Sequence, residues 1–305
     1  MHMSPTFLAG ISALCFAGSH VASKRGAEST SVVAGLLISL ATGWVVLLGA
    51  TILDLPEEIG GWAILVLAVS GLVAPAIGRA AAIAGIARLG PSISVPIQAG
   101  VYPFVAVAGA ATILGESITW TRFAGTVTIV LGILLLSRNT ALADRLAEAP
   151  SDLMGPTGGR FGRTVSRAVV LPALAGVAYG TSDLIRKEGI DLLPHPTFAA
   201  FVAMSAALLA WSAVSIALPS VRERISTGRG AGWFVAGGAL ASTAILVQFH
   251  ALERGNVSLV SPIVAAQPLC VFFLSAVLLR GIERVTAPVL IGGLATVVGV
   301  VLVAT

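Results

Sequence analysis

Apolar residues in this chain arrive in uninterrupted blocks of about twenty, the length a helix needs to cross a hydrocarbon core of roughly 30 Å. Membrane-crossing strands would instead show about ten residues of strict alternation. The first three blocks occupy residues 5–24, 30–53 and 61–88, and the next two end near 114 and 137. A second series follows at 168–187, 195–218, 231–252, 257–279 and 288–304. The pattern predicts an all-α, integral membrane bundle of ten transmembrane helices. Short connections, such as the turn at Arg25, Gly26 and Glu28, make successive helices antiparallel neighbours. Block 3 is longer than a span requires and contains Pro75 and Gly78, so a tilted or kinked helix is expected there. Gly90 and Pro91 stop it and start block 4, with proline where a missing N–H costs least.

The two series are copies of one another. Glu116, Thr119, Gly125 and Gly132 return as Glu283, Thr286, Gly292 and Gly299, each 167 positions later. Phe16, Ser19, His20, Lys24 and Gly26 return as Tyr179, Ser182, Asp183, Lys187 and Gly189 at a separation of 163, and Pro96 returns as Pro262 at 166. Residues 1–137 therefore form a first five-helix repeat and 168–305 a second. Between them, 138–167 is the one long polar stretch, with Gly155, Pro156, Gly158 and Gly159, and reads as a flexible linker. An odd number of spans per copy makes the second copy cross in the opposite sense. That inverted repeat is typical of secondary transporters that alternate access about a site at mid-membrane.

Composition agrees with the blocks: 56% of residues are hydrophobic and 10% charged, against roughly a quarter charged in a soluble domain. The net charge of +4 does not mark a nucleic-acid binder, because the cations are scattered over short connections with no basic stripe or stacking aromatics. They read as topology signals. Thirteen basic residues follow blocks 1, 3, 5, 7 and 9, against Arg122, Arg186, Lys187 and Arg254 on the other side, which places the 138–167 linker in the cytoplasm and both termini outside. A multi-pass protein of the cell (plasma) membrane is expected. Cys15 and Cys270 both lie inside apolar blocks, and the chain has no CxxC or Cys/His metal spacing, so neither a disulfide framework nor a metal or other cofactor is expected. The N-terminal stretch lacks a basic leader and runs straight into a full span, so it is read as the first helix. No HExxH, GxSxG or paired-aspartate motif points to an intramembrane enzyme.

With FAGSHVASK closing block 1, YGTSDLIRK closing block 6, and Gly115-Glu116 followed by Thr119 ahead of block 5, the chain resembles the EamA-type family of the drug/metabolite transporter superfamily. The resemblance covers nearly the whole chain. It departs at Gly281-Ile282-Glu283, where the second copy spaces its glycine and glutamate differently, and at His20, which stands where the second copy has Asp183. It implies a central cavity lined mainly by helices 1, 3, 4, 6, 8 and 9. It also implies cytoplasmic termini, in conflict with the charge count.

An ionisable group within a span costs about 2.5–3.5 kcal/mol on insertion scales, so each is a candidate for function with a partner to be named. Arg79 follows Pro75 in an apolar setting and reads as a clamp for a carboxylate, or as a residue that snorkels or pairs with Asp183. Asp183 and Arg186 share a helix face at i,i+3, as a local ion pair or as a substrate contact, with Asp183 a candidate proton carrier. His20 and His250 are candidates for the same proton role or simply packing residues. Gln98, Tyr102 and Pro103 in block 4 and Gln267 and Pro268 in block 9 lie at about the same depth. Both copies are expected to break their fourth helix there and bind solute. Trp44 and Trp62 read as packing or interfacial residues.

Glu116 and Glu283 precede helices by a few residues, where a carboxylate meets the positive end of the macrodipole. Gly125 with Gly132, and Gly292 with Gly299, mark close-packing seams, within the chain or between the protomers of a homodimer. The expected function is export of a small polar metabolite, an amino acid or related carboxylate. Arg79 would hold its carboxylate, Gln98, Tyr102 and Gln267 would orient it, and Asp183 would meet an amine or carry a proton. Efflux of lipophilic cations or drugs is the alternative, weakened by the lack of a centrally placed glutamate.

Overall fold

Serines and prolines set the helix starts. Ser4 accepts a hydrogen bond from the Phe7 N–H at 3.3 Å, with Pro5 at the first helical position, and Ser31 accepts one from the Ala34 N–H at 3.2 Å. A computed structural model describes residues 3–138, 159–278 and 287–305. The order is α1 (Pro5–Gly26), α2 (Val32–Ile52), α3 (Gly61–Gly71), a π-helical segment (Leu72–Gly78), α4 (Arg79–Leu89), α5 (Pro91–Thr112) and α6 (Trp120–Arg138). Next come α7 (Gly159–Leu192), α8 (Pro196–Ala217), the single turn α9 (Pro219–Arg222), α10 (Ala231–Arg254), α11 (Val257–Ala265), α12 (Gln267–Leu278) and α13 (Ala287–Ala304). The described residues contain no strand. Seven helices among them are long and apolar enough to cross a membrane, and two shorter apolar ones run over Trp120–Ile133 and Ile291–Ala304. Large apolar side chains such as Phe7, Trp62, Leu65, Leu209 and Ile216 lie exposed on the outside, as suits a chain whose solvent is lipid.

The long third block is one continuous helix, with Pro75 inside its π segment. Two expectations change. Block 4 is not broken: α5 runs unbroken through Pro96 and Pro103. Only the second copy breaks, at Ala266. There the Ala266 N–H turns back to Ile263 O, and the Leu269 N–H to Ala266 O, each at 3.1 Å and only three residues back. Proline disfavours helical geometry in the residue before it, but Tyr102 stays helical ahead of Pro103 whereas the chain before Pro268 gives way. The polar linker is also shorter than expected, because α7 begins at Gly159 and takes in its last nine residues, 159–167. The remainder of the linker, with Glu283 and Thr286, lies outside the described residues.

The duplication is visible in the packing. Ser19 donates its hydroxyl to Gly237 O at 2.7 Å, from α1 to α10, while its repeat mate Ser182 donates to Ser70 O at 3.0 Å, from α7 to α3. The first helix of each half thus ties onto the third span of the other half. The last helices, α6 and α13, pack through their glycines. A Cβ on Gly125 would lie 2.8 Å from Gly299 O and one on Gly132 2.7 Å from Gly292 O, so the early part of α6 meets the late part of α13 and the two run antiparallel. These seams are internal to one chain, which removes the basis on which a homodimer was expected.

Candidate functional site

Five elements converge on one buried polar pocket: α1 with Phe16 and His20, α5 with Gln98 and Tyr102, α7 with Tyr179, Asp183 and Arg186, α10 with Gln248, and the α11–α12 break with Val264 and Gln267. Matched positions face each other across it. Phe16 and Tyr179 are repeat mates, as are His20 and Asp183, so the duplication builds the frame and the divergence of the copies makes it chemically lopsided.

Asp183, fully buried, anchors that asymmetry. Its Oδ1 accepts from Arg186 Nη1 and Gln248 Nε2, both at 3.1 Å. Its Oδ2 accepts from Ser261 Oγ at 2.6 Å, from Gln248 Nε2 at 3.0 Å and from the Tyr102 hydroxyl. Gln248 is the hub, since Nε2 also reaches the Tyr102 oxygen at 2.9 Å while Oε1 accepts from Arg186 Nη1 at 3.1 Å. Arg186 lies over the Phe249 ring at 5.2 Å. The pair is thus the local i,i+3 ion pair read from the sequence, but deep inside the bundle. Two charges taken from water are held there only because further hydrogen bonds satisfy them.

Arg79 does not pair with Asp183. Its Nη2 donates to Ser19 Oγ at 3.3 Å and to Gly237 O at 3.4 Å, which inserts the guanidinium into the α1–α10 junction beside the pocket, not in its lining. Among the described residues no carboxylate lies within ion-pair distance of it, although it is 6% exposed. Four pocket atoms are buried without a hydrogen-bond partner: His20 Nε2, Gln98 Oε1, Gln267 Oε1 and Arg186 Nε. Buried polar groups are nearly always paired, so four such atoms around one cavity mark a place where a polar solute or ordered water completes the bonding. His250 is elsewhere, half-buried near the end of α10 and 3.7 Å from Glu253.

Of the sequence candidates, then, His20, Gln98, Tyr102, Asp183 and Gln267 meet in one pocket, Arg79 stands at its edge and His250 is apart. Phe16, Tyr179, Gln248 and Ser261 were not singled out as site residues. A compositional signal pointed to two of them: the chain has two tyrosines and three glutamines, and every one lines the pocket. No group of three or more potential metal ligands exists among the described residues.

Glu116 corrects another expectation. Its carboxylate caps not the helix next to it in sequence but the start of α11, accepting from Val257 N at 2.8 Å and Ser258 N at 3.0 Å. Asn256, at the capping position, makes no side-chain cap of its own, so a residue of the first half supplies it.

A two-copy, all-helical bundle with an apolar outside and a polar pocket at the meeting of its halves defines a multi-pass membrane transporter. The model of the EamA-like transporter family matches residues 3–138 and 166–305, and the chain belongs to that family. No curated protein matches the sequence. Among solved structures, one described only as the crystal structure of a protein aligns with a TM-score of 0.73 over 99% of this chain and 99% of its own, at 15% identity. That likeness speaks for the fold alone.

Proposed function

We propose that the chain crosses the membrane ten times as two inverted five-helix repeats, 1–137 and 168–305, with residues 138–167 on the cytoplasmic side of the plasma membrane. It acts as a secondary transporter that exports a small polar metabolite, an amino acid or related carboxylate, by alternating access. The observation that carries this reading is the charge balance of the site. The one carboxylate among the described lining residues, Asp183, is already occupied by Arg186, Tyr102, Gln248 and Ser261, whereas Arg79 has no carboxylate partner. A buried cation without a counter-ion attracts an anionic group. The solute's carboxylate takes that place, and the Gln98 and Gln267 amides, whose oxygens lack a hydrogen-bond partner, orient the rest of it. Asp183 serves to hold the pocket's shape, and His20, which lines the pocket, is the better candidate than His250 for coupling to protons.

The competing reading is efflux of lipophilic cations, favoured by the aromatic wall of Phe16, Tyr102 and Tyr179. A thermal-stability screen of purified wild-type protein and Arg79→Ala against amino acids, organic acids and lipophilic cations separates the two. A bound ligand raises stability by about 2.7 kcal/mol at a hundredfold excess over its dissociation constant. Stabilisation by a carboxylate that disappears in Arg79→Ala is expected. Stabilisation by lipophilic cations alone, unchanged in that variant, would replace metabolite export with efflux.

A further inference from the structure

Arg79 is the first residue after the π segment, and the segment decides which way it points. A π turn carries one residue more than an α turn, so every residue beyond the segment is rotated by about 100° from its place on a straight α-helix. The Arg79 N–H itself marks the widened ladder, donating to Ala74 O five residues back. Such a segment frees carbonyl oxygens, and Pro75, with no N–H, frees another. Two side chains of the second half reach this stretch. Ser182 Oγ donates to Ser70 O at 3.0 Å, the oxygen five residues before Pro75, and Trp211 Nε1 donates to Ala76 O at 3.1 Å, an oxygen the Arg79 N–H also reaches from three residues on.

Trp44 offers a comparison. Its Nε1 donates to Ser205 Oγ on α8 at 3.0 Å, a side chain and not a helix carbonyl. Ser182 adds a link to the pocket, since the next residue is Asp183.

We infer that Trp211 is a positioning residue that holds the Leu72–Gly78 segment in its π form and so turns Arg79 into the Ser19–Gly237 junction, while Ser182 ties the end of α3, just ahead of that segment, to the pocket through Asp183. The inference rests on the reading of Arg79 as the counter-ion of the solute. Return of the segment to α geometry would swing Arg79 by the residue-step angle and take it away from that junction.

Hydrogen–deuterium exchange on the full chain in lipid nanodiscs tests this. Wild type, Trp211→Phe, Ser182→Ala and Trp44→Phe are compared, each with and without Pro75→Ala. The loss of one hydrogen bond speeds local opening by about fivefold. Amides 76–82, the Arg79 N–H among them, are expected to exchange about that much faster in Trp211→Phe and to be unchanged in Trp44→Phe. Ser182→Ala is expected to loosen 70–76 in the same way. In the Pro75→Ala background, where the restored N–H closes the ladder, neither variant adds anything. Unchanged exchange in Trp211→Phe, or equal acceleration with and without Pro75, overturns the inference, since the bond would then only hold two helices together. No solute is needed, so this outcome is independent of the thermal-stability screen for transport.

Discussion

Gly125 and Gly299 pack backbone against backbone: a Cβ on Gly125 would lie 2.8 Å from the Gly299 carbonyl oxygen, and one on Gly299 would lie 2.7 Å from that of Gly125. Gly132 and Gly292 make the matching approach further along, so the duplication exchanges one contact for the other across the α6–α13 pair. Lipid is as apolar as leucine, and close van der Waals packing, which small residues permit, is what holds two helices together in it. Gly125→Val forces α6 and α13 apart and is expected to cost about 1–3 kcal/mol. Gly49→Ala, at a position with nothing within 4 Å, is expected to be neutral or slightly stabilising. Thermal unfolding of the two variants in the same detergent checks the contrast, and an equal loss from both would show that the seam is not where the halves are joined.

How much of the fold and site is legible in the sequence divides along physical lines. The glycine stripes, the serine ties and the frame of the pocket follow from positions that repeat at a fixed separation, and a repeated residue is readable without knowing what it touches. Partners are not readable in that way. Glu116 invites pairing with the helix just after it, yet it caps α11, because the duplicated halves interlock and the nearest uncapped helix start belongs to the other one. Proline is ambiguous for a related reason. Pro103 lies in an unbroken helix, Pro75 widens its helix into a π segment, and the chain ahead of Pro268 breaks. Whether a freed carbonyl is tolerated depends on a donor from elsewhere, as Ser182 supplies to Ser70 O ahead of Pro75. Gln248 was missed because the position it matches in the other copy is apolar, so repetition, the best guide to the rest, was silent there.

The buried pair Asp183–Arg186 sets up a second test. Arg186→Met leaves a carboxylate stranded at the centre of the bundle, and Asp183→Leu strands the guanidinium; each is expected to cost about 3–5 kcal/mol. The double variant strands neither and is expected to recover most of that loss, because two charges replaced together by apolar side chains of similar size need no compensation. Unfolding free energies of the four proteins give the coupling directly, and for partners in one network it is expected to exceed about 1 kcal/mol. Losses that simply add would mean that the 3.1 Å contact is not the interaction holding Asp183 in place.

Gln98 separates binding from stability most sharply. It is 1% exposed and its Oε1 has no hydrogen-bond partner, so in the solute-free protein it is a buried polar group left unsatisfied. Such a group costs about 1–3 kcal/mol, and a site that keeps one is weighted toward function over stability. Gln98→Leu, close in size and apolar, is expected to raise the unfolding free energy of the empty protein by about 1 kcal/mol. The same variant is expected to lose the stabilisation that a carboxylate metabolite confers on the wild type, as the amide that orients the solute is gone. A structural glutamine would behave oppositely: its replacement would lower the stability of the empty protein and leave the response to solute intact. Thermal unfolding of the two proteins, with and without the carboxylate that stabilises the wild type most, decides between these outcomes in one set of curves.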